Sequence, residues 1–488
     1  MTLNDFEVVI GLEIHAQLLT KSKLFCSCST AYGQPPNTQT CPVCLGLPGA
    51  LPVVNREAVF MAIKFALAVG AQINHFSEFS RKHYFYPDLP KGYQITQYEH
   101  PIATGGSIIL ITPEGKKSIG LERINLEEDA GKSIHDGLPD SSYRTSLDFN
   151  RCGVPLIEIV GRPEIHSPEE AVEFLQALRT LLLYLEICDG NMEEGSLRCD
   201  ANISVRPKGS MKLGVKTEIK NLNSFRFLHK ALEYEAKRQA ELLASGQTIH
   251  QETRLYDPDE NKTFPMRSKE EAHDYRYFPE PDLPPLILKP EMIEEAHRSL
   301  PELPHEKIER FMTEFELPLY DAKILTSSPG LADYFEQTAR LCGFPKSASN
   351  WIMREVLRYL KEKNQSLEMF PIPPSLLAEL ISLVENKKVT MATAKDVIFP
   401  EMISQPRSPQ EIIKEKGLHR ISDEEKIKAI ITQVIEKNPG PVNQYKQGKS
   451  QVFGFLMGQV MKETRGLADP QLVQAWLKAK LDELASQS

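Results

Sequence analysis

No stretch of this 488-residue chain approaches the ~20 consecutive apolar residues that a membrane helix needs, which excludes a helical bilayer span. The first residues, Met1-Thr2-Leu3-Asn4-Asp5, lack a basic segment followed by an apolar one, so a soluble cytoplasmic protein is expected. There is no Gly-x-x-x-x-Gly-Lys-Ser/Thr loop and no Gly-x-Gly-x-x-Gly turn, so any nucleotide must be held by a sheet surface. A Gly-x-Ser-x-Gly elbow is also missing, and no cysteine outside one cluster is placed as a nucleophile, which argues against amide hydrolysis by this chain itself. Excess positive charge is lacking too. The net charge of −9 speaks against unspecific polyanion binding, because neutralising phosphates takes clustered Lys and Arg. Any nucleic-acid contact must be local. Between Gly440 and Lys480 the basic residues Lys446, Lys449, Lys462, Arg465, Lys478 and Lys480 face only Glu463 and Asp469, though a solvated helix surface is the better explanation of any single lysine. Internal repeats and low-complexity tracts are absent.

What is present begins with ample core-forming material, 41% hydrophobic residues, in a length that suggests about three domains of ~150 residues. The run from Val8 to Leu18 alternates as a strand does, with Ile10, Leu12, Ile14, Ala16 and Leu18 on one face and Glu13, His15 and Gln17 on the other. It leads into Cys26-x-Cys28 and, twelve residues on, Cys41-Pro42-Val43-Cys44-Leu45-Gly46. Two close cysteine pairs across a short loop supply a tetrahedral thiolate set, so a structural zinc knuckle over 26–44 is expected. A disulfide pair or free thiols remain the other readings. All four sulfurs would be spent on the ion, which leaves no position for catalytic water. Cys152, Cys188, Cys199 and Cys342 are scattered, as buried residues in a reducing compartment are.

Up to about residue 290 the pattern mixes strands with few helices. Helices are predicted over Asn55 to Val69, ending at Gly70, and from Ser167-Pro168-Glu169-Glu170, where Ser167 caps and Glu170 returns the hydrogen bond. Strands are predicted over Ser107 to Thr112, Val154 to Gly161, Arg198 to Arg206 and Gly214 to Leu222. Many strands with few crossover helices predict a largely antiparallel sheet. The proline-rich segment Tyr277 to Pro285 closes this region. Short apolar-periodic helices separated by breakers such as Pro301, Pro304, Pro329 and Pro373-Pro374 follow, and the last long helices, Lys449 to Thr464 and Asp469 to Leu484, flank Gly466. The expected class is α+β: a cradle domain over 1–292, an all-α domain over 293–408 and a small all-α tail over 409–488.

Residues able to carry chemistry collect on strands. Arg198, Asp200, Asn202, Ser204 and Arg206 share one face, as do Lys216, Glu218 and Lys220, while Glu127-Glu128-Asp129 and Glu158 add further carboxylates. Converging, these faces would form the wall of acids and cations that magnesium-nucleotide chemistry needs, since hard divalent ions take carboxylate and phosphate oxygens. The bland alternative is one solvated face of an antiparallel sheet. Glu158, beside Leu156 and Val160, tips the balance towards a metal, because a carboxylate there needs a partner. Arg198 and Lys220 are read as phosphate ligands from charge and strand position alone.

Several long motifs occur in a specific order: Val9-Ile10-Gly11-Leu12-Glu13-Ile14-His15, the cysteine cluster, Tyr84-Phe85-Tyr86-Pro87-Asp88-Leu89-Pro90-Lys91-Gly92-Tyr93-Gln94-Ile95, Leu126 to Lys132, Pro155-Leu156-Ile157-Glu158, Glu193 to Asn202, Tyr277 to Asp282, Ser349-Asn350-Trp351 and Gly454 to Gln459. With them the chain resembles, nearly end to end, the B subunits of bacterial-type aspartyl/glutamyl-tRNA amidotransferases. The resemblance implies a cradle related to the glutamine synthetase catalytic sheet, a helical domain and a tRNA-gripping tail. It implies that ATP and Mg2+ serve to phosphorylate the side-chain carboxylate of Glu or Asp misacylated on tRNA(Gln) or tRNA(Asn). Ammonia from a glutaminase A subunit then displaces the phosphate, and a small C subunit wraps the A and B pair in a heterotrimer. The family's kinase centre falls on Glu13, His15, Glu128, Glu158 and Asp200, with His15, Glu128 and Glu158 on magnesium and Glu13 and Asp200 in or beside the metal shell. Glu128 is also expected to gate ammonia entry and take its proton. For His15 a core imidazole bonded to a carboxylate remains the other reading.

Three competitors explain less. An archaeal-type relative acting only on glutamyl-tRNA(Gln) carries a large inserted domain, for which the short connection before the tail leaves no room. A zinc-knuckle RNA-binding scaffold leaves the five-residue acid and imidazole set without a use. A small-molecule amide ligase has no need of a basic tail.

Overall fold

The run of alternating residues near the N-terminus folds as strand β1 (Phe6–Gln17), and it lies inside a ten-stranded sheet. In this computed structural model residues 5–135, 137, 141–266, 274–421 and 424–486 are described, and Met1 to Asn4 of the N-terminal stretch lie outside them. The residues divide into two compact units, 1–308 and 309–488.

In the first unit four more strands matter for the site: β2 (Gly115–Glu128), β3 (Pro155–Gly161), β4 (Leu197–Pro207) and β5 (Thr217–Lys220). Their order across the sheet is β5, β4, β1, β3, β2, each pair antiparallel. Beyond β5 come Glu252–Asp257 and Lys262–Pro265, and beyond β2 the short strands Ala103–Thr104 and Gln72–Ile73, while Ser107–Thr112 also pairs with β2. Only the pairing of β5 with Glu252–Asp257 is parallel among these. The antiparallel expectation therefore holds in a mixed α/β unit.

One face of the sheet is apolar. Ile10, Leu12, Ile14, Ala16 and Leu18 are each at most 3% exposed and join a single cluster with residues of α1 (Arg56–Ala68), α2 (Pro168–Tyr184) and α3 (Phe225–Ala244). Burying these side chains from water is what holds helices to sheet, at ~1.5–3 kcal/mol for each large apolar residue fully covered. The helix ends are written locally. Asn55 caps α1 by accepting from Glu57 N, and the chain leaves through Gly70 at φ 66°. Ser167 caps α2 by accepting from Glu170 N at 3.1 Å. The Glu170 carboxylate reaches back one residue further than a capping box requires, accepting from His166 N at 2.8 Å.

The proline-rich segment does more than close the unit. Phe278–Pro279 returns as an edge strand on Ser80–His83, which itself pairs with Tyr93–Thr96. Pro279 suits an edge, where a missing N–H breaks no ladder. Arg81 clamps the segment through two 2.7 Å bonds to the buried Glu280 carboxylate.

The second unit is helical. The prolines expected as breakers act as helix starts, Pro329 opening Pro329–Cys342 and Pro374 opening Pro374–Glu385, where a missing N–H costs nothing. The two last long helices run over Val452–Glu463 and Pro470–Ser486 with Gly466 at φ 73° between them. They close on Glu424–Lys437 around their own apolar cluster of Ile427, Ile431, Val434, Leu456, Val460, Val473, Leu477 and Leu481. No helix among the described residues is long and apolar enough to cross a membrane.

Candidate metal and nucleotide centre

The polar face of the sheet gathers its charge by register. His15 stands opposite Glu158 on β3 and opposite Arg198 on β4, and Glu13 stands opposite Asp200. His15 Nε2 lies 3.9 Å from Glu13 Oε1 and 3.8 Å from Glu158 Oε1. One donor atom from each of Glu13, His15 and Glu158 falls within 4.8 Å of the others. Two carboxylates and an imidazole at that separation fit a divalent cation with oxygen preference.

A fourth member is Glu127, whose Oε1 is 3.5 Å from His15 Nε2 and whose Oε2 accepts from Thr96 Oγ1 at 2.9 Å. Glu128, named from the sequence, is not brought to this cluster. Along β2 the residues Arg123, Asn125 and Glu127 face the site, and Asn125 donates to Glu158 Oε2. Ile124, Leu126 and Glu128 point to the other side, where Glu128 Oε1 accepts from Ile95 N at 2.9 Å and pairs with Lys91. The alternation of Arg123, Asn125 and Glu127 against Ile124 and Leu126 is the signal that separates the neighbours. Asp129, counted among the carboxylates in the sequence but given no role there, accepts from Gln17 Nε2 at 2.8 Å and Arg198 at 3.0 Å.

The two cations named for phosphate lie on the same face but are engaged with acids. Lys220 Nζ is 2.7 Å from Asp200 Oδ2 and 3.0 Å from Glu218 Oε1, and Arg198 holds Asp129. A third cation, Lys82, carries no signal in the sequence pattern. Burial works against its charge, yet the attraction of Glu127 first, and of Glu158, holds its pKa above the ordinary value.

Burial and mutual repulsion strain two of the acids. Glu13 is pushed up to about 7, by burial first and then by Glu158 and Asp200. Glu127 is pushed up to about 8, again by burial and then by Glu158. Burial holds His15 below its usual value, so it offers the neutral ring that a metal ligand requires. A fold keeps such groups together at a cost of several kcal/mol unless something positive joins them.

The cysteine cluster lies apart from that face. Cys26, Cys28, Cys41 and Cys44 bring one sulfur each within 4.8 Å of the others. A tetrahedral zinc site with Zn–S of ~2.3 Å has sulfurs ~3.8 Å apart, so the set fits. All eight cysteines are free thiols, which leaves no disulfide in the cluster. Gly46, at φ 66°, closes the second turn with its N–H 3.0 Å from Val43 O, and a Cβ there would run into Lys91. Lys23, fully buried, sits 3.6 Å from Cys44 Sγ and donates to Gln39 O at 2.7 Å. A cavity lined by Lys23, Cys26, Cys44, Lys91, Tyr93 and Glu128 joins the knuckle to the far side of β2.

Residues 8–294 match the family model described as the GatB/GatE catalytic domain, and residues 333–481 match the one described as the GatB domain. Similar curated proteins include the B subunit of the aspartyl/glutamyl-tRNA(Asn/Gln) amidotransferase of Thermodesulfovibrio yellowstonii, 53% identical over 96% of this chain and 98% of that protein. Those of Myxococcus xanthus and Caldanaerobacter subterraneus, under the same description, are 51% and 52% identical over 99% and 98% of this chain and the whole of each relative.

Proposed function

The chain belongs to the family of aspartyl/glutamyl-tRNA(Asn/Gln) amidotransferase B subunits, and from that premise we propose that its carboxylate-lined sheet face is a tRNA-dependent kinase centre. ATP is the phosphoryl donor, and the acceptor is the side-chain carboxylate of Glu on tRNA(Gln) or Asp on tRNA(Asn). The observation that carries this reading is the packing of Glu13, His15 and Glu158 within 4.8 Å on a face whose acids outnumber their cations.

His15, Glu158 and Glu127 hold magnesium, with Glu13 and Asp200 completing or supporting its shell. The ion supplies charge neutralisation for the crowded phosphates. Arg198 and Lys220 release Asp129 and Asp200 in part to grip phosphate oxygens, and Lys82, held charged by Glu127 and Glu158, is a third cation for them. A carboxylate oxygen of the substrate attacks the γ-phosphorus, the bond to ADP breaks, and an acyl phosphate results. Ammonia then attacks the acyl carbon, phosphate leaves, and the surplus proton goes to a carboxylate. Glu128 acts earlier, on ammonia on its way to the centre. It lies behind the sheet with Lys91, beside the cavity that reaches the knuckle, which supports a role in admitting ammonia and taking its proton.

The four cysteines bind zinc as a staple for the loop and take no part in the chemistry. A glutaminase A subunit supplies the ammonia, a C subunit completes a heterotrimer, the segment beyond Arg407 grips the tRNA body, and the assembly works in the cytoplasm.

The complex is expected to cleave ATP only when misacylated tRNA is supplied. Retained amidation by a His15→Ala or Glu158→Gln variant that still binds tRNA would overturn the assignment of the centre.

A further inference from the structure

A row of five tyrosines borders the carboxylate face. Tyr86 and Tyr84 have ring centroids 6.0 Å apart, Tyr84 and Tyr275 6.1 Å, Tyr275 and Tyr277 5.9 Å, and Tyr277 and Tyr98 4.1 Å with planes 3° apart. The row comes from two distant segments, Tyr84 to Tyr98 in and beside the Ser80–His83 and Tyr93–Thr96 hairpin, and Tyr275 to Tyr277 just before the Phe278–Pro279 edge strand, held together by His83 N donating to Tyr275 O at 2.9 Å. A buried mini-core would explain such contacts, but the ends of the row are open. Tyr98 is 53% exposed, Tyr86 54%, and Phe85 beside them 87%. Exposing large aromatic rings side by side is unfavourable in water unless something covers them.

Cations interleave with the rings. Lys82 Nζ lies 5.0 Å from the Tyr275 centroid and 5.9 Å from that of Tyr84, and Arg276 stands exposed between Tyr275 and Tyr277. The row is also tied to the centre by hydrogen bonds. Tyr84 Oη donates to Gln94 Oε1 at 3.3 Å, Gln94 Nε2 donates to Glu128 O, and Thr96 on the same strand holds Glu127. Aromatic faces with interspersed cations leading to a reaction centre are the composition of a stacking track for unpaired nucleotides.

We propose that Tyr98, Tyr277, Tyr275, Tyr84, Phe85 and Tyr86 form the surface on which the unpaired 3′ nucleotides of tRNA stack, presenting the esterified amino acid to the Glu13, His15 and Glu158 cluster. The proposal rests on the function inferred above, because the amino acid to be modified hangs from the 3′-terminal ribose. The same chemistry, an unpaired purine, is offered by the adenine of ATP, and the test separates the two.

The probe is uncharged tRNA with 2-aminopurine as its 3′-terminal base, titrated with the full-length chain in its complex. A tRNA shortened by its unpaired 3′ nucleotides, and ATP, are measured in parallel. Stacking is expected to quench the fluorophore. Tyr98→Ala and Phe85→Ala are expected to remove most of the quenching and to weaken the intact tRNA roughly tenfold, while Tyr98→Phe keeps both. The shortened tRNA and ATP are expected to bind every variant as they bind the parent. Equal weakening for the shortened tRNA, unchanged quenching, or loss of ATP affinity in place of tRNA affinity would each overturn the proposal. Quenching needs no turnover, so it stays readable if the kinase reading fails, and absence of tRNA-stimulated ATP cleavage is seen separately with the parent complex.

Discussion

Acids in the two units live under opposite terms. In the first, Glu13, Glu127 and Glu158 crowd one imidazole, and burial leaves Glu13 and Glu127 pushed up to about 7 and about 8. In the second, acids meet guanidinium groups. Glu336 accepts from Arg310 at 2.8 and 2.9 Å and from Arg340 at 2.8 Å, and Arg420 pairs with Asp469. An arrangement that costs stability persists where it serves a ligand, whereas one that satisfies every charge needs no function to explain it.

The largest expected effect tests the first half of that contrast. Glu158→Gln should lower the rate of tRNA amidation by ~10³-fold or more with tRNA affinity retained, measured as single-turnover amide formation. Glu127→Gln should likewise cut the rate. Thermal unfolding of the metal-free chain should be unchanged or raised by up to ~2 kcal/mol, since the variant relieves repulsion. A marked loss of stability would show that Glu127 belongs with the satisfied acids.

Next in size are changes that act on stability alone. Glu280→Gln leaves Arg81 without its buried partner and should destabilise by ~3 kcal/mol in a denaturant titration, in line with breaking a buried pair from one side. Removing metal with a chelator, or Cys41→Ser, should lower the melting temperature and raise thiol reactivity, with one zinc lost per chain by metal analysis. Chelation that leaves both unmoved would end the staple reading.

The smallest effect belongs to the second unit. Hydrogen bonds from Arg310 first, then Arg340, draw Glu336 down to about 2. A carboxyl with a lowered pKa adds stability above its ordinary range near 4.5 and loses that contribution as pH falls towards 2. Glu336→Gln should therefore cost less than ~1 kcal/mol at neutral pH, given its partly exposed setting, and progressively less as the pH falls from the ordinary carboxylate range through about 2. Amidation should be untouched. A loss of activity would blur the division between the two units.

Much of this was written in local pattern. The alternation of β1, the caps at Asn55 and Ser167, and the helix pair around Gly466 are short-range matters, and the folded chain reproduces them within a few residues. The edge strand at Phe278–Pro279 was not legible, because its partner lies nearly two hundred residues away, at Arg81 and Ser80. The acids of β2 show the boundary most sharply. Alternation distinguished Glu127 from Glu128, but nothing local said which parity meets His15.

By itself the sequence determined the residue types, the face each occupies on its own strand, the cysteine spacing and the family. Which strands lie side by side, and in what register, only the tertiary structure decided. A strand's backbone bonds are all offered to neighbours, and those neighbours are chosen by burial of an apolar face assembled from the whole unit. That choice set His15 opposite Glu158, left Glu128 on the reverse side with Lys91, and laid two remote tyrosine segments edge to edge.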